Sequence, residues 1–171
     1  MRDNKNKSKN NKEFIYIIFI AAVIILSLFF PILRIYGSSM SPTMTDGDLV
    51  VSVRNKNIHT GDIVVFKHDG KTLLRRCIAE SGDWVNIDSD GNVYVNNIKL
   101  DEPYVYRKNV GECDIVFPYQ VPQESFFVMG DNRGTAIDSR MREIGTIEKQ
   151  RIEGKVLFRL FPINPISTNR E

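Results

Sequence analysis

The chain has 171 residues, enough for one modest domain and an appendage, and its 42% apolar and 26% charged residues are ordinary for a folded domain. The formal net charge of +2 is unevenly placed, because residues 1–13 carry five basic side chains while residues 34–171 carry 18 basic and 19 acidic ones. A nucleic-acid-binding domain concentrates positive charge on its folded part, so this distribution excludes nucleic acid as a partner.

The first predicted elements are a basic tail, residues 1–13, and a membrane span, residues 14–33. The span has no charged side chain between Glu13 and Arg34, and a helix of that length reaches about 30 Å, the thickness of a bilayer's hydrocarbon core. Because the basic tail precedes the span, the positive-inside rule places the N-terminus in the cytoplasm and residues 34–171 outside. We therefore predict a cell-membrane protein that crosses the lipid bilayer once.

A cleavable secretion signal is the alternative interpretation of this span. Such a signal has a shorter apolar region and a small-x-small cleavage site. Here the apolar run is long and ends in Phe-Phe-Pro-Ile-Leu-Arg, without an Ala-x-Ala sequence. An uncleaved anchor is therefore the favoured interpretation.

The remaining residues, 34–171, are predicted to form a mainly β domain with a partly closed antiparallel architecture. Short runs rich in Val, Ile, Phe and Tyr alternate with turn residues. The Asp90-Gly91 pair between two of these runs is a strong hairpin signal, and no amphipathic helix of ten residues follows residue 34. The runs are 49–53, 63–66, 84–87, 93–95, 126–129 and 155–159.

One four-residue pattern, Gly-Asp-apolar-Val, recurs at residues 47–50, 61–64 and 82–85. Each copy looks like a turn that begins a strand. The spacing between the copies is irregular, which indicates reused turn geometry rather than a structural repeat.

Two cysteines and two histidines lie in the predicted β domain. Cys77 and Cys113 lie on the exported side, where an oxidising environment permits a disulfide. Cys77 belongs to a strand-like run, however, and a single pair gives no framework pattern, so we expect two free, partly buried thiols. Neither cysteine has metal-ligand spacing with His59 or His68, and both histidines flank turns, where we expect them to be solvated. The sequence predicts no metal site and no cofactor.

A cluster of hydroxyl side chains follows the span almost directly, in G37-S-S-M-S-P-T-M44. Two adjacent serines beside a membrane are either ordinary turn residues or include a nucleophile. A serine hydroxyl is a poor nucleophile unless a neighbouring base takes its proton, so the interpretation depends on finding that base.

Five stretches resemble, in order, the motifs of bacterial type I signal peptidases, and with the anchor they cover nearly the whole chain. The last stretch is the most specific, because Gly-Asp-Asn-Arg followed by Asp-Ser-Arg rarely occurs by chance. The stretches are 37–44, 61–67, 75–83, 92–104, and 129–133 with 138–140.

The resemblance implies a membrane-anchored serine endopeptidase with a Ser/Lys dyad and a β fold of signal-peptidase type. Such enzymes remove signal peptides from exported preproteins at the outer membrane surface. The resemblance makes Ser39, the serine directly before a methionine, the nucleophile. In such a site lysine serves as the base because burial against apolar surface lowers its pKa.

The position of the general base departs from the family pattern. The family's lysine stands directly before an arginine, and here these two positions are Arg75 and Arg76. Arginine stays protonated and has no lone pair to offer. In a strand, Lys71 would lie about 13 Å from Arg75, and Lys67 and His68 lie at the far end of the same hairpin, so none of them is expected to replace the base.

If the fold follows the family, Arg75 points at Ser39. A guanidinium group there needs acceptors, because burying an unpaired charge is costly. We expect it either to pair with a carboxylate or with backbone carbonyls, or to turn its head out to water with its stem along apolar surface.

Three more positions follow from the resemblance. Many bacterial members have a serine that orients the lysine two residues before the last aspartate, and here that position is Ala136. Gly37 stands where some members have a serine that adds a side-chain donor to the oxyanion hole, which leaves the Ser39 N–H as the main donor. Asp138 is expected to be structural and to pair with Arg140 or Arg133.

Two functions from different classes remain open. The first is a working signal peptidase with an unusual or inefficient base, whose partners are the signal peptides of exported preproteins. The second is a non-catalytic relative that binds an exported segment, similar to signal-peptidase-like proteins of Gram-positive bacteria that assist the assembly of surface pili and take pilin-like partners. Loss of both the base and its orienting serine makes catalysis doubtful.

Overall fold

A single long helix opens the chain. The computed structural model describes the backbone of residues 3–161 and the side chains of residues 12–160. Helix α1 spans Asp3–Phe29, so it begins inside the predicted tail, and its window Lys12–Phe29 is long and apolar enough to cross a membrane, with none of it buried by the protein. The helix ends at Phe29, four residues before the end of the predicted span, because Pro31 has no N–H and disfavours helical geometry at the preceding residue.

Eleven β-strands follow in the described part of the chain. Each of the six predicted runs lies within a strand, and no α-helix follows α1 between residues 30 and 161, where the helical structure is a 3-10 turn at Lys149–Arg151. In chain order the strands are β1 Ile32–Arg34, β2 Leu49–Val53, β3 Ile63–His68, β4 Lys71–Ala79, β5 Trp84–Ile87, β6 Val93–Val95, β7 Ile98–Lys99, β8 Tyr119–Gln120, β9 Ser125–Met129, β10 Ile147–Glu148 and β11 Ile152–Phe161.

The strands form two antiparallel sheets. The larger sheet has the order β1-β2-β11-β3-β4-β9-β10, and the smaller has the order β7-β6-β5-β8. Strands β5 and β6 pair across the Asp90-Gly91 loop, as the sequence predicts. The prediction of a mainly antiparallel β domain behind one apolar helix is confirmed, whereas partial closure of the sheet stays a prediction.

Strand β3 lies in the middle of the larger sheet and is buried on both faces. Ile63 and Val65 pack into one apolar cluster with Met44, and Val64 and Phe66 pack into a second cluster on the other face. Because successive side chains of a strand point to opposite faces, β3 joins the two cores and gives its neighbour β4 a rigid support.

The hairpin of β3 and β4 places the arginines of the site. The two-residue turn 69–70 has positive φ at both positions, 47° and 72°, the geometry for which an Asp-Gly pair is favoured. The resulting register sets Arg75 opposite Val64. Since side chains alternate along a strand, Arg75 and Arg76 leave β4 on opposite faces.

The three Gly-Asp turns share one geometry, which confirms that the recurring pattern is reused turn chemistry. Their glycines have φ values of 90°, 92° and 89°, as the third position of a type II turn requires. In each turn the carboxylate that follows accepts a hydrogen bond, at 2.8 to 3.1 Å, from the N–H three residues earlier. The pairs are Gly47-Asp48, Gly61-Asp62 and Gly82-Asp83.

Candidate active site

Ser39 lies in the tightly turned segment 37–44, which apolar side chains hold in place. Met40 and Met44 of this segment are buried in the cluster that includes one face of β3, while Ser39 stays half-buried at the surface. The Ser39 carbonyl oxygen accepts a hydrogen bond from the Asn132 N–H at 3.0 Å. The serine is therefore fixed from two sides, by its methionine neighbours and by the loop after β9.

The loop after β9 approaches Ser39 closely at Gly130. A Cβ atom on Gly130 would lie 2.6 Å from the Ser39 carbonyl oxygen and 2.3 Å from the Cβ of Ala136. Both separations are shorter than van der Waals contact, so a residue without a side chain is required there. The Gly-Asp-Asn-Arg sequence thereby brings its own backbone against the serine segment.

The guanidinium group of Arg75 reaches Ser39 from β4. Its Nη1 donates to the Ser39 Oγ at 2.9 Å and to the Leu74 carbonyl at 2.6 Å, and its Nε donates to the Ile137 carbonyl at 2.9 Å. The residue is only 5% exposed. Of the expected arrangements, the structure has the buried one in which backbone carbonyls accept from the guanidinium group.

The hydrogen bond between the two side chains runs from the arginine to the serine. Burial lowers the pKa of Arg75, the negative charge of Asp138 opposes that change, and the charge of Arg140 adds to it. Because a guanidinium group ordinarily titrates above about pH 12 and has no lone pair while protonated, Arg75 donates to Ser39 and cannot remove its proton.

Asp138 and Arg140 form a fully buried ion pair beside this contact. The Arg140 Nε and Nη2 each donate to a carboxylate oxygen of Asp138 at 2.8 Å. The Gly130 N–H donates to the same carboxylate at 2.9 Å. Since Gly130 also lies against Ser39, the pair fixes the loop that supports the serine.

Arg133, the second expected partner of Asp138, pairs instead with Glu102. Both side chains of that pair are fully buried, and the Arg133 Nε donates to the Gly130 carbonyl at 3.2 Å. Of the two candidate partners of Asp138, the structure has Arg140. Arg140 makes a bidentate pair with Asp138, because it donates to both carboxylate oxygens. Glu102 lies 31 residues from Arg133, so sequence spacing does not reveal that pair.

Sequence reasoning missed a third buried pair, Arg76 with Asp131. Arg76 donates through Nε and Nη2 to the two carboxylate oxygens at 2.8 and 2.6 Å, and its guanidinium carbon lies 3.9 Å from the centre of the Tyr104 ring. Thr43, in the serine segment, also donates to Asp131. The sequence signal that could have found this pair is the alternation of side chains along β4. It directs Arg76 to the face opposite Arg75, toward the loop after β9.

A groove of about 620 Å³ opens beside Ser39 and Arg75. It is bounded on one side by β1 and the residues after it, and on the other by the first half of β4. Apolar side chains form most of its walls. They are Ile32, Leu33, Ile35, Met40, Leu73 and Leu74.

Comparisons with known proteins identify the family of this chain. The family model described as "Signal peptidase, peptidase S26" matches residues 8–161, and a signal peptidase I of Bacillus licheniformis is 33% identical over 97% of this chain and 98% of its own length. The chain belongs to the signal peptidase family. Signal peptidase I U of Bacillus subtilis is 36% identical over 72% of this chain and 73% of its own length. The crystal structure of a signal peptidase I from Enterococcus faecalis covers 58% of this chain and 96% of that chain, at 25% identity and a TM-score of 0.49.

Ala136 is the position at which the sequence resemblance predicts an orienting serine. Ala136 is buried, and its methyl group lies against Gly130. Its carbonyl oxygen is 3.4 Å from the Arg140 Nη2. A methyl group offers no hydrogen bond, so this residue contributes only backbone and packing to the site.

Gly37 is part of the turn and is not an available donor. Its φ of 85° requires glycine, and its N–H already donates to the Asp46 Oδ1 at 2.8 Å. The Ser39 N–H, in contrast, donates to no acceptor among residues 3–161. The Ser39 N–H is therefore one backbone donor of this segment that remains free for an incoming oxygen.

The other basic side chains considered in the sequence lie away from Ser39. His68 and Lys71 face each other across the far end of the β3–β4 hairpin, and Lys67 pairs with Glu153 at 2.9 Å. Among the described side chains, the hydrogen-bond partner of the Ser39 Oγ is Arg75. The structure thus brings Ser39, Arg75, Ala136 and their supports together without placing a neutral base beside the serine.

Both cysteines are free thiols, as expected. Cys77 is fully buried on β4, and burial raises the pKa of its thiol well above the ordinary value. Cys113 is half-buried. The thiols take no part in the geometry around Ser39.

The two histidines differ in their surroundings. The side chain of His59 is about half exposed, as expected for a turn, but that of His68 is only 15% exposed, so its predicted solvation is wrong. His68 ends β3 beside Arg151, whose Nη2 lies 3.1 Å from its Nδ1. With Asp69 and Glu143 it forms the one group of possible metal ligands in the described chain, all within 4.8 Å. The absence of a metal stays a prediction.

Proposed function

We propose that this protein is a membrane-anchored member of the signal peptidase family that binds the signal peptides of exported preproteins at the outer face of the membrane and cleaves them very slowly. The observation that carries the proposal is the hydrogen bond from the Arg75 Nη1 to the Ser39 Oγ. A permanent cation faces the serine at the place where a proton acceptor is required.

Family membership and the groove beside Ser39 support the binding half of this proposal. The matched relatives are described as signal peptidase I. An extended peptide, such as a signal peptide, can bind by adding a strand to an exposed sheet edge. The groove has apolar walls and two strand edges that suit such a peptide. The alternative role in pilus assembly draws no support from the relatives named above.

The wild type is expected to cleave a labelled preprotein in detergent at a very low rate, little above that of Ser39→Ala, because Arg75 cannot activate the serine. Loss of a general base commonly slows a reaction by about 10² to 10⁴-fold. Cleavage is followed by gel electrophoresis, and binding by the anisotropy of a labelled signal peptide, which both proteins should bind. Robust wild-type cleavage that disappears in Ser39→Ala would refute the proposal that the protein cleaves very slowly. It would mean that a group other than Arg75 activates Ser39.

The proposed topology predicts that protease added to intact protoplasts removes residues 34–171. The reason is the uncharged segment 14–33 behind a tail with five basic side chains. An antibody against the C-terminal domain measures its loss, and a cytoplasmic protein serves as the control for intact membranes. Complete protection of the domain, with digestion restored only after lysis, would reverse the orientation.

A further inference from the structure

The groove beside Ser39 contains a charge that no ion pair in the described chain neutralises. Arg75 is only 5% exposed, yet it belongs to none of the ion pairs between residues 12 and 160. The negative charge of Asp138 acts on Arg75, but this carboxylate already accepts hydrogen bonds from the Nε and Nη2 of Arg140. Because a buried cation without a paired anion is costly, an anion that enters the groove gains a favourable interaction.

Three hydrogen-bond donors remain open at the same point. The Ser39 Oγ accepts from Arg75, so its own proton is left to donate elsewhere. The Ser39 N–H and the Arg75 Nη2 group donate to no residue that the structure describes. Open donors beside a fixed cation are the surroundings that a carboxylate oxygen favours.

The walls of the groove indicate that the anion belongs to a peptide. Strand β1 is the end strand of its sheet and pairs with β2 on one side. Strand β4 pairs with β9 only from Arg76 to Ala79, so residues 71–74 have one backbone edge without a strand partner in the described part. Two open strand edges bind an extended chain through backbone hydrogen bonds.

Charge complementarity favours a peptide that ends at the site. Arg34, Lys71 and Arg75 all line the groove, and no acidic side chain among the described residues lines it. We infer that the groove binds an extended peptide by its free C-terminal carboxylate, which Arg75 and Ser39 hold together. This inference rests on the proposed function and makes it more specific, because the ligand is a chain end rather than a chain that continues past Ser39.

The test compares two labelled peptides that differ only at the C-terminus. Full-length protein in phosphatidylcholine nanodiscs is titrated into a fluorescein-labelled apolar peptide that ends in alanine, either as the free acid or as the amide. We expect the wild type to bind the acid at least about tenfold more tightly, because hydrogen bonds to a charged acceptor are the stronger kind. Fluorescence anisotropy gives both dissociation constants.

Three variants separate this contact from general charge effects. Arg75→Met should bind the acid and the amide equally, and Ser39→Ala, which removes one small donor, should retain a reduced preference. Arg107→Gln removes an exposed positive charge outside the groove and should keep the wild-type preference. If Arg75→Met does not fold, the wild type and Ser39→Ala still decide the question.

The outcomes distinguish this inference from the function on which it rests. Equal affinity of the wild type for acid and amide overturns carboxylate recognition and leaves peptide binding intact. Failure to bind either peptide overturns both.

Discussion

The double variant Arg75→Lys with Ala136→Ser is expected to cleave a preprotein at least about 100-fold faster than the wild type. Position 75 is only 5% exposed, so a lysine placed there loses hydration, and burial lowers the pKa of its amine. A neutral amine beside the Ser39 Oγ reverses the direction of the present hydrogen bond, so that the serine gives up its proton.

The two single variants should fall short of the double variant. Arg75→Lys supplies a base, but the Ala136 methyl group cannot orient it by a hydrogen bond. Ala136→Ser alone leaves the guanidinium group in place and should gain nothing. The measurement is the rate of preprotein cleavage in detergent for all four proteins, because residues that act as a unit give effects that do not add.

Adding Ser39→Ala to the double variant is the control, and it should abolish the gained activity. A gain that survives Ser39→Ala would come from a contaminating peptidase. If the folded double variant stays as slow as the wild type, the missing base is not what limits catalysis, and the interpretation of Arg75 is wrong.

The sequence predicts the fold best where local patterns are strong. Strand β2 and strands β5 and β6 have the predicted bounds, because alternating apolar residues and Gly-Asp turns act over a few residues. The two-residue strands β7, β8 and β10 are too short to show a period. The end of α1 differs from prediction because apolar composition continues past Pro31 although helical geometry does not.

The candidate site is predicted less well, because its supports join distant parts of the chain. The proximity of Arg75 to Ser39 was expected from family resemblance alone, since they are 36 residues apart. Arg76 and Asp131 are separated by 55 residues, and Arg133 and Glu102 by 31. No periodicity assigns such partners, and only the folded sheet determines which arginine meets which carboxylate.

Asp138→Ala is expected to lower the free energy of unfolding by about 3–5 kcal/mol. The Asp138 carboxylate is fully buried and accepts from the Arg140 side chain, the Arg140 N–H and the Gly130 N–H. Removing it leaves the buried Arg140 cation without its anion, although Arg140 still donates to backbone carbonyls. The loss should be independent of activity, because the pair holds the loop against Ser39 whether or not cleavage occurs.

Thermal unfolding of the full-length protein in detergent, followed by circular dichroism, measures this effect. For a domain of this size the loss corresponds to a fall in the melting temperature of roughly 10 °C or more. The control is Asp101→Ala, which removes an exposed carboxylate of the same domain and should change the melting temperature little. If Asp138→Ala melts with the wild type, the carboxylate is solvated in the folded protein. The support of Ser39 by Gly130 would then have to come from Arg133, which donates to the Gly130 carbonyl.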